Sequence, residues 1–235
     1  MPATEPPARL LGEPALHASS VVANCAMNRE RGLAGVNSYE RELGFHPLDG
    51  LRAAARERGE AAWLDLCCGT GRALIEAAAA LRESGLAGRV ALTGVDLVDA
   101  FDPLPPGVAG LTLACAPVAA WSPGRRYDLI TCVHGLHYVG DKLAVLARAA
   151  AWLAPGGRLV ADLDLGALAV PSRRRLARVL RDAGFAYDPR RRRVSRTGPG
   201  AVRLPYRYLG ADDQAGPNYT GQPAVISHYA EDRPA

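Results

Sequence analysis

Of the 28 basic residues in this 235-residue chain only one, Lys142, is a lysine, and its five cysteines form no C-x-x-C pair. The missing pairs leave no zinc spacing, and an odd count argues against a disulfide framework. Cys67 and Cys68 fall in a turn, Cys115 and Cys132 in apolar runs, so they are expected to be reduced, small, buried residues. There is no uninterrupted apolar run long enough to cross a bilayer, so no membrane association is expected. Residues 1–14 carry Glu5 and Glu13 among prolines, unlike a signal peptide with its basic start and apolar centre, and the reduced cysteines fit an expected place in the cytoplasm. No aromatic-interleaved basic motif accompanies the arginine runs at 173–175 and 190–193, which hold much of the net charge of +4. They read as solvated faces of a helix and a hairpin, and nucleic acid is not an expected partner. The competing reading is a patch for an acidic partner such as RNA or a phosphorylated or carboxylate-rich substrate. No nucleophile elbow supports Ser-His-Asp chemistry, and no metal site is expected.

At 49% hydrophobic content the chain can bury one full core. Residues 1–14 read as a flexible lead-in and 15–235 as a single domain. Over 15–60 the pattern is helical: a helix at 15–31 closed by Gly32, a capping box with Asn37 as cap and Glu40 reaching back, and a helix opened by Pro47 and ended by Gly59. Over 61–165 strands alternate with helices, with strands predicted at 63–65, 89–95, 111–115, 127–133 and 158–165. Asp141 caps the helix that precedes Pro155-Gly156-Gly157. Over 166–235, Ser172 caps an arginine-rich helix, and the extended segments 185–196 and 202–209 are expected to pair as an antiparallel hairpin on the sheet edge. The fold class is therefore α/β, a doubly wound, mostly parallel sheet beneath an N-terminal helical lid.

The stretch Trp63-Leu64-Asp65-Leu66-Cys67-Cys68-Gly69-Thr70-Gly71-Arg72-Ala73-Leu74 organises the chain. It reads as a short strand ending in a carboxylate, a tight small-residue turn, and the first turn of a helix. Gly69 and Gly71 suit a backbone that bends sharply and lets a ligand approach without meeting a Cβ. The following helix points its unpaired N–H groups at the same place. A dinucleotide dehydrogenase would need a third glycine where Leu74 stands, which disfavours NAD. Asp96 ends the second strand about 20 residues past the turn, where an acid can accept hydrogen bonds from a ribose diol.

Asp65, Cys67, Gly69 and Gly71 occupy the positions of D/E-x-G-x-G-x-G, motif I of the class I S-adenosylmethionine-dependent methyltransferases, with Cys67 replacing the first glycine. The stretch Tyr127-Asp128-Leu129-Ile130 resembles the family's motif IV. Leu153-Ala154-Pro155-Gly156-Gly157-Arg158-Leu159 resembles its "L-x-P-G-G-x-L" lead into strand five. With Asp96 these landmarks stand in family order, so the chain resembles that family over about residues 63–165. The resemblance implies a seven-stranded sheet in the order 3-2-1-4-5-7-6 and S-adenosylmethionine as cofactor. It implies that Asp65 faces the methionine ammonium, that Gly69 and Gly71 let the backbone approach, and that Asp96 holds the ribose. Val133 and Tyr39 join Cys67 in the expected cofactor-binding set. The acid that often reads adenine after strand three is missing from Cys115-Ala116-Pro117-Val118, which leaves adenine to backbone groups and apolar packing.

Methyl transfer from a sulfonium is an in-line displacement that needs positioning and exclusion of water, and a base only if the acceptor must lose a proton. His134 and His137, in the loop after strand four, are the candidate bases. Two polar stretches, 24–39 and 206–222, are richer in amides, hydroxyls and aromatics than a plain surface loop. They are expected to form the acceptor pocket, with Arg29, Tyr138, Asp213 and Tyr219 touching substrate and Tyr39 beside them. The acceptor expected is a small molecule or short peptide, as in natural-product tailoring. The alternatives are an RNA or protein methyltransferase using the arginine runs, and a non-catalytic S-adenosylmethionine-binding module.

Overall fold

The computed structural model describes residues 9–23 and 30–232. Strand β1 (Ala61–Leu66) is buried along its whole length at the centre of a seven-stranded sheet. In chain order the other strands of that sheet are β2 (Val90–Asp96), β3 (Leu111–Cys115), β4 (Tyr127–Cys132), β5 (Leu153–Asp162), β7 (Ala186–Asp188) and β8 (Arg193–Thr197). Their spatial order is β3-β2-β1-β4-β5-β8-β7, with the first five parallel, β8 antiparallel to β5, and β7 antiparallel to β8. Counted within this sheet alone, that is the expected order 3-2-1-4-5-7-6.

The period-2 alternation of β1 divides the core between two faces. Leu64 and Leu66 pack with Ile130, Leu159 and the helices α6 (Lys142–Ala151) and α7 (Arg173–Asp182). Trp63 packs on the other face with α4 (Pro47–Arg58) and α5 (Arg72–Glu83). Asp65 shares the parity of Trp63, so the sequence places a carboxylate inside the second core, where it must be hydrogen-bonded.

Several expected elements shift. The helix expected over 15–31 is instead α1 (Glu13–His17) and α2 (Ser20–Ala23), and residues 24–29 of that expectation lie outside the described residues. The lead-in expected over 1–14 is held to the body from Leu11, which exchanges two backbone hydrogen bonds with Ala211, at 2.8 and 3.0 Å. Ser38, not Asn37, caps α3 (Tyr39–Leu43), its hydroxyl accepting from the Arg41 N–H at 3.3 Å. The Pro-Gly-Gly run lies within β5, where the register against β4 slips between Tyr127 and Leu129 and absorbs the extra residues.

The closing hairpin forms within 186–197 alone. Segment 202–209 contributes instead to β9 (Tyr206–Asp212), which pairs with β10 (Ile226–Glu231); together with β6 (Leu168–Ala169) they form a second, three-stranded sheet. Alternation marks a strand but not its partner, so this placement depends on long-range packing. Cys115 is exposed rather than buried, and the four described cysteines are free thiols. Among the described residues no helix is long and apolar enough to cross a membrane.

Candidate active site

A cavity of about 990 Å³, counted with its open mouth, lies beyond the carboxyl ends of β1, β2 and β4. Its floor is the turn Cys67-Cys68-Gly69. Cys67 has φ +57° and Gly69 φ +61°, the left-handed region where a non-glycine residue costs of order 1–3 kcal/mol. Cys67 therefore holds the backbone shape that a glycine would adopt more easily. Gly135 makes room for it, since a Cβ at Gly135 would sit 2.3 Å from the Cys67 Cβ. A hydrogen bond with Cys132, together with burial, pushes the Cys67 thiol up.

Asp96, at the end of β2, lines this cavity. Its Oδ2 accepts from the Gly69 N–H at 2.8 Å and its Oδ1 from the Val98 N–H at 3.1 Å. The carboxylate is thus fixed against the glycine turn. Pro117, Val118 and Ala119 also line the cavity, and Trp121 stacks edge-on against Trp152 at 5.8 Å.

Asp65 is fully buried beneath the cavity floor. Tyr39 donates to its Oδ2 at 2.7 Å and Thr131, its register partner on β4, donates to Oδ1 at 2.6 Å. The Trp63 indole donates in turn to the Thr131 hydroxyl at 2.8 Å. Burial pushes the Asp65 carboxyl up to about 7 even though both hydrogen bonds pull it down. Tyr39 lines the cavity in place of the expected Asp65.

His134 has φ +57° and meets carboxylates on two sides. Its Nε2 lies 3.3 Å from Glu42 Oε2 and 4.0 Å from Asp162 Oδ2, and its backbone N–H donates to that same Asp162 oxygen at 3.0 Å. Ligand atoms of the three side chains fall within 4.8 Å of one another. Arg31 lies 3.6 Å from Glu42 and Arg193 3.6 Å from Asp162, supplying the positive charge that a cation would otherwise bring. The hydrogen bond with His134 holds the Glu42 carboxyl below its usual range, while burial raises that of Asp162. Arg31 lines the cavity at 9% exposure, with Nε buried and unpartnered.

His137 is 2% exposed and lines the cavity. Burial, with the charges of His134 and Lys142 behind it, pushes its imidazole down to about 3, so it is neutral at physiological pH. The lone lysine is buried beside it. Lys142 Nζ donates to Val139 O at 2.8 Å, Val225 O at 2.9 Å and Ser227 Oγ at 2.7 Å, pinning the start of β10 to the start of α6.

Cys67, Gly69, Asp96, Val133, Tyr39, His134, His137 and Tyr138 therefore meet around one cavity. Among the described residues Asp65, Gly71, Asp213 and Tyr219 stand outside its lining: Gly71 caps α5, and the Tyr219 ring is sandwiched between His137 and the Arg192 guanidinium. Arg29 lies outside the described residues. Sequence reasoning missed Arg31, Glu42 and Asp162, and it named Tyr219 where Asn218 and Thr220 reach the cavity. The polar richness of 206–222 located the segment; which side chains turn inward depends on its docking. Much of the arginine runs is engaged within the chain: Arg175 pairs with Glu231, Arg192 covers Tyr219, and Arg193 donates to Leu43 O at 2.9 Å.

A family model described as a methyltransferase domain matches residues 41–185. Comparison with curated proteins gives no match. Among solved structures, the chain is similar to an S-adenosylmethionine-bound amino pentose methyltransferase of calicheamicin biosynthesis from Micromonospora echinaspora. The two share 23% identity over 60% of this chain and 54% of that one, with a TM-score of 0.40. An N-methyltransferase from Bradyrhizobium japonicum, in complex with S-adenosylhomocysteine, shares 17% identity over 80% of this chain and 96% of that one, with a TM-score of 0.38. The plantazolicin methyltransferase, 17% identical, is matched over 50% of this chain and 45% of its own length, with a TM-score of 0.39. The chain thus spans about half the length of the first and third of these relatives.

Proposed function

This chain belongs to the methyltransferase-domain family, and we propose that it moves a methyl group from S-adenosylmethionine to a small-molecule or short-peptide acceptor. The observation that carries the reading is that Asp96, Arg31 and the Cys67-to-Gly69 turn all line one cavity at the carboxyl ends of the central strands. The donor set suits the cofactor. Asp96 offers lone pairs to the two ribose hydroxyls, and the buried, unpartnered Arg31 Nε offers an N–H to the methionine carboxylate. Tyr39, anchored on Asp65, faces the amino acid portion. When bound, the cofactor supplies a sulfonium methyl as the electrophile.

The chain's own part is to position both molecules and keep water out. His134 is the residue we assign to proton removal. With Nε2 committed to Glu42, its Nδ1 carries the lone pair, and the Glu42 and Asp162 carboxylates stabilise the imidazolium that forms. His137, held neutral, orients the acceptor. Incubation with methyl-labelled S-adenosylmethionine and a panel of alcohols, phenols, amines and short peptides tests this. Label on a small acceptor, lost in His134→Ala without loss of cofactor affinity, supports the reading. Label found only on RNA or folded protein overturns the acceptor class, and cofactor binding with no transfer to any acceptor overturns the catalytic reading.

A further inference from the structure

The turn at 217–222 holds the Asn218 amide in one orientation. Asn218 Oδ1 accepts from the Thr220 N–H at 2.7 Å, the Thr220 hydroxyl at 2.6 Å and the Gln222 N–H at 3.4 Å. Backbone N–H groups can only donate, so the amide oxygen must face the turn and the amide nitrogen must face away. That Nδ2 is buried without a partner, in a residue that lines the cavity. His137 lines the same cavity, is 2% exposed, and leaves Nε2 without a partner. The two sites are joined rigidly. The Tyr219 ring packs edge-on against the His137 imidazole at 5.4 Å, and the Val225 N–H donates to His137 O at 2.9 Å. Buried polar groups in folded proteins are ordinarily satisfied, so these two orphans in the lining of one cavity point to a ligand that meets both.

We propose that Asn218 Nδ2 and His137 Nε2 form the acceptor-recognition pair of this cavity, and that the acceptor presents to them an uncharged amide-type edge. This rests on the methyltransferase reading of the same cavity. The amide N–H of Asn218 demands an acceptor atom, which an ammonium lacks. The imidazole nitrogen accepts or donates according to its tautomer, and a carboxamide edge carries both an N–H and a C=O and so satisfies either. A carboxylate satisfies one tautomer only. The side-by-side donor and acceptor of a carboxamide or lactam is the group that fits.

The test titrates benzamide, benzoate and benzylamine, by ligand-observed NMR, into protein saturated with S-adenosylhomocysteine. The series is repeated on Asn218→Asp, which keeps an oxygen for the turn and replaces the amide nitrogen with a second oxygen. Affinity for S-adenosylhomocysteine, measured on both proteins, reports the fold and the cofactor site separately. The proposal predicts that benzamide binds at least tenfold more tightly than either charged analogue. It also predicts that this binding falls at least tenfold in Asn218→Asp while S-adenosylhomocysteine affinity is unchanged. Equal or tighter binding of benzoate or benzylamine, no saturable binding of benzamide, or unchanged binding in the variant overturns it. If wild-type protein fails to bind S-adenosylhomocysteine, the methyltransferase reading fails and takes this proposal with it.

Discussion

The Tyr39 hydroxyl donates a 2.7 Å hydrogen bond to Asp65 Oδ2 across 26 residues of sequence, joining the N-terminal segment to the end of the central strand. Tyr39→Phe keeps the edge-on packing against Trp63, 6.0 Å between ring centroids, and removes only the hydroxyl. The carboxylate oxygen it leaves is buried, so the variant should lose about 1–3 kcal/mol of stability, read from urea denaturation.

The same carboxyl sets a pH dependence. Burial raises Asp65 from 3.8 to about 7, so between those values the folded chain keeps a proton that the unfolded chain releases. Its contribution to stability is complete below 3.8 and is lost as pH rises through about 7. Asp65→Asn should flatten the fall over that window. If stability in the Asp65→Asn variant declines as steeply as in wild type, other groups cause the fall.

Arg31 is assigned to the carboxylate of the cofactor's amino acid portion, and that assignment separates two ligands. Arg31→Met should weaken S-adenosylhomocysteine binding at least tenfold and leave methylthioadenosine, which lacks the amino acid, within about twofold of wild type, since a charged hydrogen bond is worth about 1.5–3 kcal/mol. Calorimetry on both ligands reads the difference.

Lys142 makes the opposite pH prediction. Burial lowers its ammonium from 10.5 to about 7, so between those values the folded chain holds fewer protons than the unfolded chain. Stability therefore rises with pH across that window, by up to about 1.4 kcal/mol for each unit of displacement. Lys142→Met should abolish the rise, and paired urea titrations at neutral and alkaline pH measure the gap.

The sheet was legible because its signals are local. Val90–Asp96 and Tyr127–Cys132 are short apolar runs closed by turns, and each lies within about a residue of its expected span. Asp96 and Gly69 were legible for the same reason, since a strand end and a glycine turn fix both. Asp65 was placed in the correct strand but the wrong environment. Its β-strand parity turns it into the core, and only the fold reveals that Tyr39 and Thr131 close over it. The Glu42–His134–Asp162 cluster joins residues from three distant parts of the chain, with no shared motif to announce them. Segment 202–209 carried the alternation of a strand, but pairing with residues 226–231 rather than 185–196 is decided by docking on α6 and Leu11.

Calorimetric titration with S-adenosylhomocysteine and with NAD, on wild type and on Asp96→Ala, decides whether the cavity is a methyl-donor site. Asp96 fixes the glycine turn through Gly69 at 2.8 Å and lines the cavity. A methyltransferase cofactor site should bind S-adenosylhomocysteine alone, at micromolar affinity, weakened at least tenfold in the variant. Tighter binding of NAD, or S-adenosylhomocysteine affinity untouched by the loss of Asp96, would contradict it.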